Sequence, residues 1–408
     1  MKRDIKSIVK HFRICGELTE IRPLPRGHIN DTYVLTTKKL SQNAICHSER
    51  SEESLISASQ TLRFAQGDSF EIVSKKNPDK IGVRYILQRI NHTVFRDPPS
   101  VMGNIIRVTE HIRSRMQRID PGLASRQLTV IAGVDDTCFH KDSEGNFWRV
   151  YNFIEDAVAY DTIESAELAY EAARMFGWFQ KMLVDLPGPA LHESICDFHN
   201  TPKRFETFQR VLKEDTCSRA ENAKPEINFL FDNAAICDVL LNLAGKGKIP
   251  IRVTHNDAKV NNVMLDKNTN KGVCVIDLDT VMPGLSIYDF GDMIRTGTTF
   301  ADEDERNLSK VDVDLPMFEV FARGFAEQSR HFLTSTEKEH LAFAAKLITF
   351  EQFIRFLTDY LAGDVYYKVH REGHNLDRSR TQMKLVQSII KQEEAMNEVI
   401  ERVFQQVD

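Results

Sequence analysis

Short runs of β-branched, aromatic and alternating apolar residues indicate that the first 155 residues are rich in strands. The predicted strands are residues 33–36, 84–90, 127–132 and 146–154. The last run follows the turn sequence Asp142-Ser-Glu-Gly, so we expect it to close a β-hairpin. One helix is predicted among these strands, over residues 99–118, because Ile105, Val108 and Ile112 recur at helical spacing.

From about residue 156 the apolar positions change to the period of amphipathic helices. Residues 166–183 carry apolar side chains along one face, which predicts a helix. A longer apolar helix is predicted from about residue 337 to 361, ending before Gly363, a residue type that favours helix C-termini. Between these helices, residues 251–298 are predicted to form strands and loops, and they hold most of the unusual polar residues.

These patterns predict an α+β fold with two lobes and a cleft between them. We place a β-rich N-terminal lobe at residues 1–155 and a mainly helical C-terminal lobe at residues 156–408. An insertion at about residues 40–80 fits neither pattern, and its Ser- and Glu-rich part, 40–68, has no sustained period. We expect a surface loop at a hairpin tip without a function of its own, since loop-closure entropy grows only slowly with length.

Composition then excludes several classes of protein. The 408 residues carry 53 Lys and Arg against 59 Asp and Glu, and 42% are hydrophobic, as in globular proteins. The net charge of −6 and the lack of a basic stripe argue against nucleic-acid binding. No apolar run reaches the roughly 18 residues that a membrane span needs. The charged N-terminal segment is unlike a signal peptide, and the seven dispersed cysteines are typical of reduced thiols, so we expect a cytoplasmic protein. We also expect a monomer.

One group of polar residues carries recognisable chemistry. His255, Asp257 and Asn262 have the spacing His-x-Asp-x4-Asn, and an apolar run farther along ends in Asp277 and Asp279. Phosphoryl transfer from ATP needs a carboxylate that accepts the proton of the attacking hydroxyl, and an Asn and an Asp that hold Mg²⁺. The spacing matches the catalytic loop of protein-kinase-like enzymes.

This match predicts Asp257 as the base, Asn262 and Asp277 as Mg²⁺ ligands, and Asp279 as a further metal ligand. The alternative is purely structural: His255 would be a core histidine, Asp257 part of a turn, and Asp277 a cap at a strand end. We favour the catalytic interpretation because several acids near apolar strands need a cation to offset their repulsion.

The N-terminal lobe should then bind the nucleotide. Gly27-His-Ile-Asn-Asp-Thr lies between two predicted strands, as a phosphate-covering loop would, which places Gly27, Asn30 and Thr32 near the phosphates. A plain turn is the alternative, since the segment has a single glycine.

The strand over residues 84–90 lies where such enzymes carry a phosphate-binding Lys paired with a helix Glu. Gln88 takes that place with Arg89 beside it, and alternation along a strand lets only one of them reach phosphate. Glu110 is the predicted helix partner. Tyr151 and Phe153 belong to a predicted hinge whose backbone meets adenine.

Longer blocks of sequence extend the pattern beyond the catalytic loop. They are residues 27–33, 85–91, 254–266, 275–284, 288–295, 355–364 and 374–387. These blocks, such as Thr254-His-Asn-Asp-Ala-Lys-Val-Asn-Asn-Val-Met-Leu-Asp, resemble the N-acetylhexosamine 1-kinases, which belong to the aminoglycoside phosphotransferase branch of the protein-kinase-like fold. The similarity covers nearly the whole chain except residues 40–68.

The resemblance implies an aminoglycoside phosphotransferase-like fold and phosphorylation, dependent on ATP and Mg²⁺, of the anomeric hydroxyl of N-acetylglucosamine or N-acetylgalactosamine. The product would be the sugar 1-phosphate. By the same resemblance Asp257 is the base, Asn262 and Asp277 hold Mg²⁺, and His28 and Arg355 contact the sugar.

Other polar residues near these blocks have two interpretations each. Arg355 and Asp359 lie one helical turn apart, and they form either a surface ion pair or a clamp that binds the sugar. Asp289 and Asp292, with Arg295, would bind sugar hydroxyls or brace the catalytic loop; Thr296 lies beside the expected pocket and leaves the choice between the two sugars open.

Three other functions compete with this one. The acceptor could be another small hydroxyl compound, such as an amino alcohol or an aminoglycoside, although the blocks outside the catalytic loop argue against it. A two-metal phosphohydrolase could be built on four carboxylates, namely Asp257, Asp277, Asp279 and Asp292, and would be active without ATP. A pseudokinase would lack the base or a metal ligand, and the sequence contains both.

Overall fold

The computed structural model describes residues 4–24, 29–38, 82–163 and 165–405. The chain divides into two compact units. Unit 1 comprises Met1–Glu110 and Leu128–Glu155, and unit 2 comprises His111–Gln127 and Asp156–Asp408. The predicted insertion at about residues 40–80, and the predicted contacts at Gly27 and His28, lie outside the described residues. The lobe boundary after residue 155 stays a prediction.

Unit 1 contains an antiparallel sheet. Its strands are β1 (Glu17–Pro23), β2 (Asp31–Lys38), β3 (Arg84–Ile90), β4 (Val130–Ile131), β5 (His140–Lys141) and β6 (Phe147–Asn152). They lie in the order β1-β2-β3-β6-β4, with β5 paired to β6. The helices are α1 (Ile5–Val9) and the first part of α2 (Pro98–Ile119). Leu35, Leu87, Trp148 and Val150 are buried on one face of the sheet.

The strand predictions for unit 1 are largely confirmed. The predicted strand 33–36 lies within β2, and the predicted strand 84–90 is β3. The predicted strand 146–154 contains β6. The hairpin around Asp142 joins β5 to β6 in antiparallel register. The predicted strand over residues 127–132 is shorter than expected, because Gln127 is buried and its amide donates a hydrogen bond to the carbonyl of Val273 at 2.8 Å. The predicted helix over residues 99–118 is confirmed as α2.

Unit 2 is mainly helical. Its helices after α2 are α3 (Pro121–Ala124), α4 (Ala166–Leu183), α5 (Thr201–Glu214), α6 (Lys224–Asp232), α7 (Val239–Gly245), α8 (Ser286–Gly297), α9 (Leu315–Ser329), α10 (Ser335–Glu339), α11 (Leu341–Leu361) and α12 (His374–Gln405). Its strands are β7 (Ala157–Val158), β8 (Arg252–Thr254), β9 (Val263–Asp266), β10 (Gly272–Val275) and β11 (Met282–Gly284). They form the sheets β10-β9-β7 and β11-β8. An antiparallel sheet combined with helices confirms the predicted α+β class.

Of the two helices predicted for unit 2, one is confirmed and one is corrected. The helix over residues 166–183 is α4, with Ser165 as its N-cap. The helix predicted over 337–361 is two helices, because a capping box between Thr334 and Glu337 begins α10 separately and the chain bends at His340. Gly363 follows α11 with φ of +96°.

Helix α8 lies in the segment that was predicted to be strands and loops. Its apolar side chains, including Phe290 and Ile294, are buried, and polar residues at intervals of three hide the helical period in the sequence. The helix packs closely on α11: a Cβ atom added at Gly291 would lie 2.5 Å from the carbonyl oxygen of Ala344. The backbones of α8 and α11 therefore approach each other closely at this point.

No single helix in the described part of the chain is long and apolar enough to cross a membrane. The bent pair of Glu221–Asp232 and Ala234–Gly245 meets the same test of length and composition.

Candidate active site

The predicted catalytic loop begins where β8 ends. Strand β8 pairs with β11, with Thr254 opposite Met282. After Thr254 the backbone amides of His255 and Asn256 donate to the carboxylate of Asp289, at 3.0 and 2.7 Å. Asn256 has φ of +64°, in the left-handed region that non-glycine residues rarely adopt. The two hydrogen bonds that these amides donate to Asp289 hold the loop in this conformation.

The close approach of β11 supports the same turn. The side chain of Asn256 accepts a hydrogen bond from the Thr254 hydroxyl at 2.8 Å and donates one to the carbonyl of Thr280 at 3.0 Å. A Cβ atom at Gly284 would overlap the Thr254 hydroxyl and lie 2.7 Å from Oδ1 of Asn256. A glycine at position 284 is therefore needed for the strand to reach the loop.

Asp257, the predicted base, has a partly exposed side chain, with 29% of its surface accessible. Its Oδ1 lies 2.8 Å from the ammonium of Lys259. Burial opposes ionisation of this carboxyl, but the charge of Lys259 outweighs it and lowers the pKa of Asp257 to about 2. Asp257 is therefore a carboxylate at neutral pH, able to accept a proton.

His255 is a buried histidine that connects the loop to the next hairpin. Its Nε2 lies 2.9 Å from the carbonyl of Ile276, and its Nδ1 accepts from the amide of Asp257 at 3.3 Å. The rings of Phe176 and Phe179 pack edge-on against it. His255 is therefore a core histidine, as the purely structural interpretation predicts. Its ring also fixes the backbone that carries the predicted base, Asp257.

Asn262 and Asp277 are brought together by the β9–β10 hairpin. The amide of Ile276, the residue before Asp277, donates to the carbonyl of Asn262 at 2.9 Å. The Nδ2 of Asn262 donates to the carbonyl of Asp257 at 2.9 Å, so Oδ1 lies on the other side of the amide group. Asp277, the second residue after β10, has φ of +60°, and Asp279 is buried in the following 3-10 turn.

This donor set has the chemistry of a Mg²⁺ site. An amide oxygen and carboxylates are hard ligands, and Mg²⁺ in nucleotide enzymes is held by one or two protein oxygens together with phosphate. The described residues contain no cluster of three or more His, Cys, Asp or Glu side chains close enough to hold a metal. A site completed by ATP needs no such cluster, so Asn262 and Asp277 fit the ion.

The acidic residues of α8 have separate roles. Asp289 is fully buried, and besides the two loop amides it accepts from Nε2 of Gln180 at 2.6 Å. This geometry favours bracing over hydroxyl binding for Asp289, whose pKa is raised by burial. Asp292 binds the guanidinium of Arg295 through Oδ1 at 2.8 Å, while its Oδ2 is buried without a hydrogen-bond partner in the described structure. The hydroxyl of Thr296 donates to the carbonyl of Asp292 at 2.8 Å.

Arg355 and Asp359 do not form the predicted pair, either as a surface ion pair or as a joint clamp. Both carboxylate oxygens of Asp359 accept hydrogen bonds from the backbone of residues 365–367 and from Asn375. The guanidinium of Arg355 instead lies over aromatic rings, with its carbon 5.3 Å from the centre of Phe198 and 5.6 Å from that of Tyr367. The loop that follows α11 competes for Asp359, and the sequence spacing alone does not show this.

In unit 1, Gln88 is held by a buried arginine. The Oε1 of Gln88 accepts from Nε and Nη2 of Arg149, at 3.0 and 2.8 Å, and its Nε2 donates to Thr32 at 3.2 Å. Arg149 is only 1% exposed. Glu110 is exposed on α2, and its pairing with Gln88 stays a prediction.

The remaining predicted nucleotide residues lie on or beside the sheet. Arg89 forms an ion pair with Asp31 at 2.7 Å, on the opposite face from Gln88. Asn30 accepts from the amide of Asn91 at 2.9 Å. Tyr151 is buried in β6, and Phe153 carries the guanidinium of Arg84 over its ring at 3.9 Å. Their contacts with a nucleotide stay predictions.

Sequence reasoning missed four side chains in these two units. They are Arg149, His199, Lys259 and Glu351. Lys259 could have been found, since it lies inside the catalytic motif two residues after Asp257. The other three are single residues in segments with ordinary patterns, and only the fold shows what they contact.

Comparisons with known proteins show the family and the fold. A family model described as the phosphotransferase enzyme family, APH, matches residues 79–310, more than half of the chain. Similar solved structures include a microcompartment-associated aminopropanol kinase, with a TM-score of 0.51 and 11% identity, covering 96% of this chain and 98% of that one.

Two further structures have the same TM-score of 0.51. One is an ethanolamine kinase of Plasmodium vivax, 12% identical over 89% of this chain and 82% of that one. The other is a choline/ethanolamine kinase family protein of Mesorhizobium loti, 11% identical over 98% of this chain and 99% of that one. At these identities the similarity concerns the fold, and it confirms the predicted kinase-like fold. The chain belongs to the phosphotransferase enzyme family.

Proposed function

We propose that this phosphotransferase transfers the γ-phosphoryl group of ATP to the C1 hydroxyl of an N-acetylhexosamine, N-acetylglucosamine or N-acetylgalactosamine. The product is the sugar 1-phosphate. The observation that carries the chemistry is the loop from Thr254 to Asn262, which holds a partly exposed, ionised carboxylate beside an amide fixed by the same loop. The choice of sugar rests on the resemblance of the sequence blocks.

Asp257 receives the proton in this reaction. The C1 oxygen bonds to the γ-phosphorus, the bond from that phosphorus to the bridging oxygen of ADP breaks, and the hydroxyl proton passes to the Asp257 carboxylate. The low pKa keeps the carboxylate ionised, and the proton moves late in a loose transition state, so a strong base is not needed. Lys259 lies beside Asp257 and can offset the negative charge of the phosphoryl group.

Asn262 and Asp277 would hold Mg²⁺, with Asp279 as a further ligand. When bound, the ion neutralises charge that develops on the phosphate oxygens. The backbone hydrogen bond from Ile276 to Asn262, which joins the segments that carry the two side chains, supports this assignment. In unit 1 we assign the nucleotide contacts to Gln88 and the residues beside it. We assign to Arg149 the role of supplying the positive charge that a Lys supplies in other kinases.

The sugar contacts are proposed for Arg355, Asp292, Arg295 and Thr296. The buried Oδ2 of Asp292 has no hydrogen-bond donor among the described residues, and a sugar hydroxyl can donate to it. Arg355 already covers the faces of Phe198 and Tyr367, which would otherwise be suited to a quaternary ammonium group. A neutral acceptor therefore fits this region better than choline or a protonated amino alcohol.

Two alternatives are less consistent with the geometry. A two-metal phosphohydrolase needs clustered carboxylates, and among the described residues no such cluster is present. A pseudokinase needs a missing base or metal ligand, whereas the sequence contains Asp257, Asn262 and Asp277.

The test is an ATP-consumption screen over N-acetylglucosamine, N-acetylgalactosamine, glucose, galactose, choline and homoserine, with and without Mg²⁺. We expect consumption only with Mg²⁺ and fastest with an N-acetylhexosamine, and ³¹P NMR should identify a sugar 1-phosphate. Faster turnover with choline or homoserine would refute the sugar assignment. Phosphate release without ATP from a phosphate ester would refute the kinase assignment.

A further inference from the structure

A buried histidine contacts the catalytic loop from outside the motif. His199 lies in the segment before α5, and its Nε2 is 2.9 Å from the backbone carbonyl oxygen of Asn256. Its Nδ1 is 2.9 Å from Oε1 of Glu351 on α11. The side chains of His199 and Glu351 are 10% and 2% exposed. The imidazole ring of His199 therefore connects Glu351 on α11 to the predicted catalytic loop at Asn256.

The two neighbours determine where the protons lie. A backbone carbonyl can only accept, so Nε2 must carry a hydrogen. The other oxygen of Glu351 accepts from the hydroxyl of Thr201 at 2.7 Å, which leaves Oε1 as the acceptor for Nδ1. With an ionised Glu351, both ring nitrogens donate and His199 is an imidazolium.

The surrounding charges favour this state. Burial opposes a charged His199, but the carboxylate of Glu351 outweighs it and raises the pKa of His199. Burial likewise opposes ionisation of Glu351, and the charge of His199 outweighs it and lowers the pKa of Glu351. Asp292 on α8 adds to the negative field at His199, and Arg355 on α11 adds positive charge at Glu351.

Other titratable groups face the pair from the elements packed around it. The ring of Tyr288, on α8, lies 5.1 Å from that of His199, and Arg204 on α5 carries a charge that interacts with Glu351. Burial raises the pKa of Tyr288, so it stays neutral where His199 titrates.

The bond to Asn256 matters because of the peptide unit that it fixes. The carbonyl of Asn256 and the amide of Asp257 belong to one planar group. His199 donates to the oxygen of that group, and His255 accepts from its N–H at 3.3 Å. Asn256 has φ of +64°, so the loop has to be held from both sides. The orientation of this peptide sets the direction in which the Asp257 side chain leaves the backbone.

We propose that His199 is a positioning residue: as an imidazolium held by Glu351, it fixes the peptide between Asn256 and Asp257 and so aims the Asp257 carboxylate at the acceptor hydroxyl. The inference rests on the proposed function for its kinetic consequence. Because the folded pKa of His199 is raised, the bond from Nδ1 to Glu351 that anchors the ring is fully present below the unfolded value of about 6.5 and is lost as pH rises through the folded pKa. Above that pKa the Nε2–H still donates to the carbonyl of Asn256, but from a ring that Glu351 no longer holds.

The kinetic test compares His199→Gln, Glu351→Gln, the double variant and a control. Glutamine can still donate to the carbonyl but carries no charge and no titration. We expect each single variant to lower kcat about 10–100-fold, because misplacing a reacting group by about 1 Å costs this much, while KM values change less than about twofold. The double variant should be no slower than the singles, since both act through one ring.

His340→Gln is the control. Its imidazole also lies against a backbone carbonyl, that of Thr336 at 2.8 Å, at the junction of α10 and α11 in the same unit. We expect it to keep wild-type kcat. Additive losses for the double variant, or single variants with wild-type kcat and an unchanged alkaline limb of the pH profile, would overturn the proposal.

A second measurement does not depend on activity. ¹⁵N NMR of the imidazoles at pH 7.5 should show His199 with two protonated nitrogens, whereas an ordinary histidine is about nine-tenths neutral at that pH. The Glu351→Gln variant should lose this signature. A neutral His199 ring in the wild type would refute the inference even if His199→Gln fails to fold. Absence of kinase activity with every acceptor, with the imidazolium present, would refute the proposed function and leave the charged bridge established.

Discussion

The role of Asp359 in the structure differs from the ion pair or sugar clamp that its sequence position predicts. Its Oδ1 accepts from the amides of Val365 and Tyr366, at 3.0 and 2.8 Å, and its Oδ2 accepts from the amide of Tyr367 at 2.9 Å and from Asn375 at 2.8 Å. The carboxylate thus organises the loop that places tyrosine rings against Arg355. We predict that Asp359→Asn destabilises unit 2 and loosens this loop.

The magnitude follows from the acceptors that the substituted side chain retains. In the Asp359→Asn variant the amide oxygen can still face Val365 and Tyr366, but the NH₂ group then faces two donors. Losing two hydrogen bonds to a charged group, at about 1.5–2 kcal/mol each, gives roughly 3–4 kcal/mol. Rotation of the Asn375 amide would recover little, because its Nδ2 also donates to Asp364 at 2.9 Å. A surface ion pair with Arg355 would be worth only about 0.2–1 kcal/mol.

Urea unfolding followed by circular dichroism measures this difference, and sugar KM measures its effect on the loop. Asp314→Asn is the matched control, because Asp314 caps α9 by accepting from the amide of Met317 at 2.7 Å and asparagine caps equally well. We expect a loss of about 3 kcal/mol at position 359 and less than about 0.5 kcal/mol at position 314. Equal, small losses for both variants would refute the bracing role.

Three further predictions concern the loop and unit 1. Lys259→Met removes the charge that lowers the pKa of Asp257, so burial should raise that pKa and move the acid limb of the kcat/KM profile to higher pH; an unmoved limb contradicts the pairing. Gln88→Leu removes two hydrogen bonds from the buried Arg149 and should cost about 2–3 kcal/mol in urea unfolding, with a raised KM for ATP; a loss below about 0.5 kcal/mol contradicts it. Gly284→Ala should lower kcat and reduce the free energy of unfolding by about 1–3 kcal/mol. Gly245→Ala is the control and should be neutral, because a Cβ atom there meets open space. Equal effects of the two substitutions would argue against a tight contact at β11.

Much of the fold could be predicted because its elements have strong local patterns. Helix α4 and strand β3 were predicted to the residue, since each has an uninterrupted period and a clear boundary. Helix α8 could not be, because its buried polar residues break the apolar period and make sense only against the catalytic loop. The division of the α10–α11 region depends on the capping box at Thr334, whose effect within an apolar run is not visible from periodicity.

The candidate site divides in the same way. Asp257 and Asn262 could be proposed from the sequence because they share a short motif with fixed spacing, and Asp277 because it follows an apolar strand. The bracing by Asp289 and Asp359 could not be decided, because a carboxylate on a helix can face a ligand or a backbone amide with the same sequence spacing. Arg149 and His199 are distant in sequence from their partners, so only the packed structure brings them together.

The most direct test of the account is Asp257→Asn, assayed with ATP, Mg²⁺ and the best acceptor from the screen. Loss of the proton acceptor should lower kcat by about 10²–10⁴-fold, since that is the usual contribution of a general base. ATP affinity, measured by calorimetry, should change less than about threefold, because Asn262 and Asp277 remain. Near-normal sugar phosphorylation by the variant would contradict the central claim that this carboxylate accepts the proton of the attacking hydroxyl.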